Sequence, residues 1–155
     1  MRINKTLFLI IFGLILGYSS IRAQSADVIS IKNELDNWMK GYNQKNLAKA
    51  VSVFDDHYVG LYAGYNDQSL STIKDQYDKV FKNKFLKATL SMEIVDLETS
   101  GDLAYVSIKQ KWGFKASIAD KPQYAYEKGL LIMKKNKENK WKMIRSSTFA
   151  VKAGK

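Results

Sequence analysis

Apolar residues in the first half of the chain recur at spacings of three and four. Val28, Ile31, Leu35, Trp38 and Tyr42 fall on one side of a helical period, which predicts an amphipathic helix capped by Ser25 or Asp27 and ended by Gly41 and Asn43. Asn46 is placed to cap a second, short helix with Leu47, Ala50, Val51 and Phe54 on one side. Asp55-Asp56-His57 breaks the pattern as a turn. Tyr58–Tyr62 reads as a short strand and Ala63-Gly64-Tyr65-Asn66-Asp67 as another turn. Ser71 is expected to open a third helix that buries Ile73, Tyr77, Val80 and Phe81.

From Leu86 the period drops to two. Ala88, Leu90, Met92 and Ile94 alternate with Thr89, Ser91 and Glu93, and the slip at Ile94-Val95 predicts a β-bulge. After a turn at Ser100-Gly101-Asp102, the set Ala104, Val106, Ile108, Gln110, Trp112 and Phe114 alternates with Tyr105, Ser107, Lys109 and Lys111. Asp120-Lys121-Pro122 reads as a loop, Tyr124–Met133 as a strand, Asn136–Asn139 as a turn and Lys140–Phe149 as the last strand. Long strands joined by short turns predict an antiparallel sheet with one face on the helices, hence an α+β domain.

Met1–Ala23 has the pattern of a secretory signal peptide. Arg2 and Lys5 form its basic start, Leu7–Leu16 its apolar run, and Ile21-Arg22-Ala23 its cleavage site. The run is too short for a bilayer core of ~30 Å, which needs about 20 residues. The expectation is an exported protein, periplasmic or secreted, with no stable membrane insertion after cleavage and with residues 24–155 as one domain. A domain of this size buries roughly two thirds of its unfolded surface.

The chain has no Cys and one His. A disulfide scaffold, thiolate chemistry and a Cys/His zinc site are therefore excluded, and neither a metal nor a cofactor is expected. Residues 1–23 carry Arg2, Lys5 and Arg22 and no acid, so the formal charge of +10 falls to +7 without them. The lysines gather at the turn around Lys134–Lys142 and at the helix end near Lys79–Lys87, as solvated faces do. With export, this argues against a nucleic-acid partner.

Three stretches carry a family resemblance: WMKGYNQKNLAKAVSVFDDHYVGLY (Trp38–Tyr62), GDLAYVSIKQKW (Gly101–Trp112) and YEKGLLIMKKNKENKWKMIRSSTF (Tyr126–Phe149). Within them lie Asn43-x-x-Asn46-Leu47, Phe54 before an acidic pair, Gly101-Asp102-x-Ala104 entering a strand, and Trp141-Lys142-x-Ile144 in the last strand. In element order and in these motifs, residues 26–150 resemble the nuclear transport factor 2-like superfamily, and within it the SnoaL-like domains of exported bacterial proteins. The resemblance implies a cone: a strongly bent antiparallel sheet wrapped around three N-terminal helices, with an apolar pocket at its open end. It also implies a homodimer joined through the exposed sheet face. Such cones serve isomerases, cyclases, dehydratases, binders and oligomerisation modules, so the fold does not name the chemistry.

An isomerase of this family needs a carboxylate base and proton donors for a developing oxyanion. At the matching positions this chain has Tyr62, Trp38 and Leu131, and no Asp or Glu occurs between His57 and Asn66. Ketosteroid isomerase chemistry is not expected. The remaining catalytic candidates are His57 with Asp55 or Asp56, and Glu127. His57 is either an imidazole oriented by a carboxylate or a surface turn histidine. Asp55 and Asp56 are either a paired-carboxylate site or turn residues. Glu127 is either a pocket acid or base, or a partner for a cross-strand Lys. Arg145 either clamps an anionic ligand from within or sits on the rim or dimer face. The aromatic set Trp38, Tyr42, Phe54, Tyr58, Tyr62, Trp112, Phe114, Tyr124 and Tyr126 either lines a cavity in part or is plain core. The expected function is binding of a small apolar molecule. The rivals are a SnoaL-like isomerase, cyclase or dehydratase, and an interaction module whose own rings fill its pocket.

Overall fold

The computed structural model describes residues 26–152 apart from 63, 65 and 117–120. The signal-like segment, Ser25 and Asp120 lie outside the described residues.

Helix α1 (residues 26–43) buries Ile31, Leu35, Trp38 and Tyr42, the face that the spacing predicts. Asp27 lies within the helix rather than capping it. Its carboxylate holds Lys135 Nζ at 2.8 Å and accepts from Trp141 Nε1 at 3.3 Å, tying α1 to the sheet. Lys45, at φ 55°, turns the chain out of the helix. Asn46 then caps α2 (Leu47–Val51) by accepting from the Lys49 amide at 3.0 Å. The two helices cross closely at Gly41, where a β-carbon would overlap the Ala50 backbone. Phe54, expected at the end of α2, instead opens strand β1 (Phe54–Tyr62).

The Asp55-Asp56-His57 turn belongs to β1. Its pairing jumps from Phe54↔Met143 to Val59↔Arg145, so five residue steps along β1 match two along the partner strand. The surplus bulges outward with Asp56 and His57 exposed, which brings both Phe54 and Tyr58 inward. A two-residue strand β2 (Gln68–Ser69) pairs back onto β1 and leads into α3 (Leu70–Lys82). The cap of α3 is Ser69 rather than Ser71, with its hydroxyl accepting from the Thr72 amide.

The rest of the chain is a meander of β3 (Lys87–Ser100), β4 (Leu103–Lys115), β5 (Gln123–Lys135) and β6 (Trp141–Val151). The expected bulge is present: the β3–β4 register shifts between Ile94 and Asp96. Strand order is β2-β1-β6-β5-β4-β3. One pairing departs from the antiparallel expectation, since β1 runs parallel to β6. The whole meander connects these two strands, and a long connection permits parallel pairing where a tight turn forbids it.

The result is a bent, unclosed α+β sheet around three helices. Its concave face buries Val106, Ile108, Leu131, Met133 and Met143 against Ile31 and Leu35. The edge strand β3 is tied to the end of α1 by Asn43, whose amide donates to Leu90 O at 2.9 Å and accepts from Leu90 N at 2.7 Å. That pair satisfies backbone groups an edge strand leaves open.

Candidate functional site

The core is not solid. Between the helices and the concave sheet face lies a cavity of about 290 Å³. Helix α1 contributes Trp38 and Tyr42, and α3 contributes Ile73, Tyr77 and Val80. Strand β1 adds Phe54, Tyr58 and Tyr62, and β4 adds Trp112 and Phe114. The rings meet edge to face: Trp38 and Phe54 centroids are 5.5 Å apart, Phe54 and Tyr58 4.7 Å, and Tyr42 and Trp112 5.1 Å. Exposed Gln76 and Ala125 border the opening.

One wall is polar, and strand alternation builds it. On β4, Gln110 follows Val106 and Ile108 on the inward phase. Its direct partner on β5 is Glu127. Gln110 Nε2 donates to Glu127 Oε2 at 2.5 Å, and Trp112 Nε1 donates to the same oxygen at 3.2 Å. Beside them, β6 presents Ser146 and Thr148. Thr148 sits against Gly129, where a β-carbon would strike the Ser147 carbonyl and the Thr148 side chain. Gly129 therefore lets β6 approach closely enough for Thr148 to join the wall.

The hydroxyl groups are neutral donors and acceptors. Tyr58 and Ser146 share a hydrogen bond of 2.7 Å, and Trp38 Nε1 donates to Tyr77 Oη at 3.0 Å. Burial pushes the Tyr42 hydroxyl up to about 12 and those of Tyr58 and Tyr77 well above the ordinary phenol value. Among the described residues that line the cavity, Glu127 is the only one with a charged side chain.

Two atoms of this wall have no hydrogen-bond partner among the described residues: Gln110 Oε1 and Thr148 Oγ1. Both residues are only 5% exposed. Buried polar atoms without partners are rare in native proteins, and each calls for an explanation.

Of the residues singled out in the sequence, Trp38, Tyr42, Phe54, Tyr58, Tyr62, Trp112, Phe114 and Glu127 line the cavity together. Six do not: Asp55, Asp56, His57, Tyr124, Tyr126 and Arg145. His57 and Asp56 ride the outward bulge of β1. The His57 side chain is 96% exposed, and its backbone N–H donates to Asp55 Oδ1 at 2.9 Å, the arrangement of a turn. Arg145 is exposed and donates to the carbonyls of His57 and Ile144. Tyr126 is next to inward Glu127 on an extended strand and so faces the other way, under Lys111. Tyr124 also lies on that outer side, with Lys111 Nζ 3.8 Å above its ring.

Gln110, Ser146 and Thr148 were not singled out. Gln110 had a signal, a polar residue in the inward phase of an otherwise apolar strand. Ser146 and Thr148 did not, because the β5–β6 register shifts between Ile132↔Arg145 and Met133↔Met143. Strict alternation from Met143 would bring Arg145 inward, whereas the bulge at Ile144 turns Arg145 out and Ser146 in.

Among the described residues there is no helix long and apolar enough to cross a membrane, and no group of three or more His, Asp or Glu arranged for a metal.

No family model matches the sequence, and no curated protein does. Solved structures match the fold throughout the described region. A conserved protein from Planctomyces limnophilus DSM 3776 superposes with a TM-score of 0.75 at 12% identity, over 83% of this chain and 98% of its own. A ketosteroid isomerase-like protein from Erwinia carotovora atroseptica SCRI1043 gives 0.65 at 16% identity, over 81% and 96%. A nuclear transport factor 2-like superfamily protein from Salmonella enterica serovar Typhimurium LT2 gives 0.65 at 12%, over 80% and 91%. The chain has the nuclear transport factor 2-like fold.

Proposed function

We propose that this domain binds a small molecule whose apolar body lies among the aromatic rings and whose polar end meets Gln110, Glu127 and Thr148. The carrying observation is the pair of buried, unpartnered oxygens, Gln110 Oε1 and Thr148 Oγ1, on one wall of an otherwise apolar cavity. An interaction module with a collapsed pocket would bury its polar atoms in pairs or not at all. The basic, apolar N-terminal segment supports delivery of the domain outside the cytoplasm. The outer sheet face, with Leu130 and Phe149 exposed on neighbouring strands, supports a homodimer.

The test is a thermal-shift screen of the purified chain against small hydrophobic molecules bearing one polar group. A ligand at about 100 times its Kd stabilises the fold by about 2.7 kcal/mol. A screen without a saturable shift removes the binding reading.

A second reading has one specific support. Glu127 is a carboxylate inside an aromatic cavity, held by two donors, as a proton-transferring base would be. The ketosteroid isomerase-like neighbour lends this reading a precedent of fold only. Turnover lost in Glu127→Gln but kept in His57→Ala would favour it. Turnover kept in both would remove it.

A further inference from the structure

The wall chemistry narrows the ligand class, given that the cavity is a ligand site. Both hydrogen bonds to Glu127 fall on Oε2, which leaves Oε1 without a partner among the described residues. The neighbouring Gln110 Oε1 is unpartnered as well. Gln110 and Glu127, opposite one another on β4 and β5, line a space among whose described lining residues there is no Lys or Arg. The nearby cations are turned away: Lys109 pairs with Glu93 across the strands, and Lys111 lies over Tyr124 on the outer side. The same lining includes the rings of Trp38, Tyr42, Trp112 and Tyr58, and aromatic faces attract cations. The tyrosine hydroxyls stay neutral because burial raises them. A cavity with negative charge and open acceptors, inside a chain of formal charge +10, selects by sign.

We propose that the cavity recognises an organic ammonium: a primary or secondary amine, protonated at neutral pH, on a flat apolar body. Its N–H groups donate to Glu127 Oε1 and Gln110 Oε1, and its charge lies among the rings. A neutral alcohol has a single hydrogen to donate and leaves one of the two acceptors open. A carboxylate meets Glu127 as a like charge. A quaternary ammonium has the charge but no N–H for Gln110.

The experiment compares three probes of one shape, 2-phenylethylamine, 2-phenylethanol and phenylacetate, by calorimetric titration of the purified chain at neutral pH. The expected order is amine tightest, by about tenfold or more over the alcohol, with phenylacetate weakest. In Glu127→Gln, which keeps the side-chain shape, the amine loses its advantage over the alcohol. Equal or tighter binding of the alcohol or the acid overturns the ammonium assignment and leaves the small-molecule cavity standing. So does an amine preference that survives in Glu127→Gln. Absence of binding by all three probes overturns the assignment and the cavity reading together. The wild-type comparison decides the matter even if the variant does not fold.

Discussion

Gln110 and Glu127 stand directly opposite one another on β4 and β5, and the amide of one donates to the carboxylate of the other at 2.5 Å. The pair faces inward at the centre of a sheet whose other inward positions are mostly apolar. A carboxylate there depends on its donors, Gln110 and Trp112. Replacing Gln110 by Leu removes one of them and should destabilise the fold by about 1.5–3 kcal/mol, the range for hydrogen bonds to charged groups. Denaturant midpoints of Gln110→Leu and of the double variant Gln110→Leu/Glu127→Leu check this. The double variant should recover much of the loss, because an apolar pair leaves no unpaired charge.

Gly129 fixes how closely β6 lies beside that pair. Gly129→Ala places a methyl against the Ser147 carbonyl and Thr148. Because backbone must move, the expected cost is about 1–3 kcal/mol in chemical denaturation. Ligand affinity should fall with it, as Thr148 is displaced from the wall.

His57 and Arg145 supply the opposite expectation. Both are exposed, and Arg145 reaches back only to backbone carbonyls. His57→Ala and Arg145→Ala should each change stability by no more than about 0.5 kcal/mol and leave ligand binding unchanged. A loss of binding in either would move the site to the outer face.

The helical half of the fold was legible because apolar spacing reports burial directly: Ile31, Leu35, Trp38 and Tyr42 needed no further information. The same holds for β4, whose unbroken alternation correctly carries Gln110 and Trp112 to one face. Alternation fails where a strand is irregular. The bulges at Asp55–His57 and at Ile144 each reset the phase, and neither contains a Gly or Pro to announce it. Consequently the direction of Arg145 stayed open between an inward clamp and the rim, and Thr148 was not singled out. Glu127 was ambiguous for another reason: it lies between Tyr126 and Lys128, and the run Leu130-Leu131-Ile132-Met133 that follows is apolar in both phases, so it does not tell the two faces of the strand apart.

The buried tyrosines predict an alkaline limit. An unperturbed tyrosine of the unfolded chain loses its proton near pH 10, whereas Tyr42 in the fold holds its proton to about 12, and Tyr58 and Tyr77 hold theirs beyond the ordinary value. Above pH 10 the unfolded state therefore binds fewer protons than the native state. Stability is complete below that pH and falls as pH rises through it, by up to about 1.4 kcal/mol per unit for each such group. Unfolding midpoints measured from pH 8 to 12 should show the decline. Tyr77→Phe, which keeps the ring, should make it shallower.

The chain has three tryptophans, and they separate the cavity from the rest of the core. Trp112 Nε1 bonds Glu127, Trp38 Nε1 bonds Tyr77, and Trp141 Nε1 bonds Asp27 at the other end of the sheet. The decisive measurement is an NMR titration of the three indole N–H resonances with 2-phenylethylamine. A guest in the cavity moves the Trp112 and Trp38 signals saturably and leaves Trp141 in place. Signals that stay fixed throughout the titration, or that all drift together without saturating, would contradict a ligand site at Gln110 and Glu127.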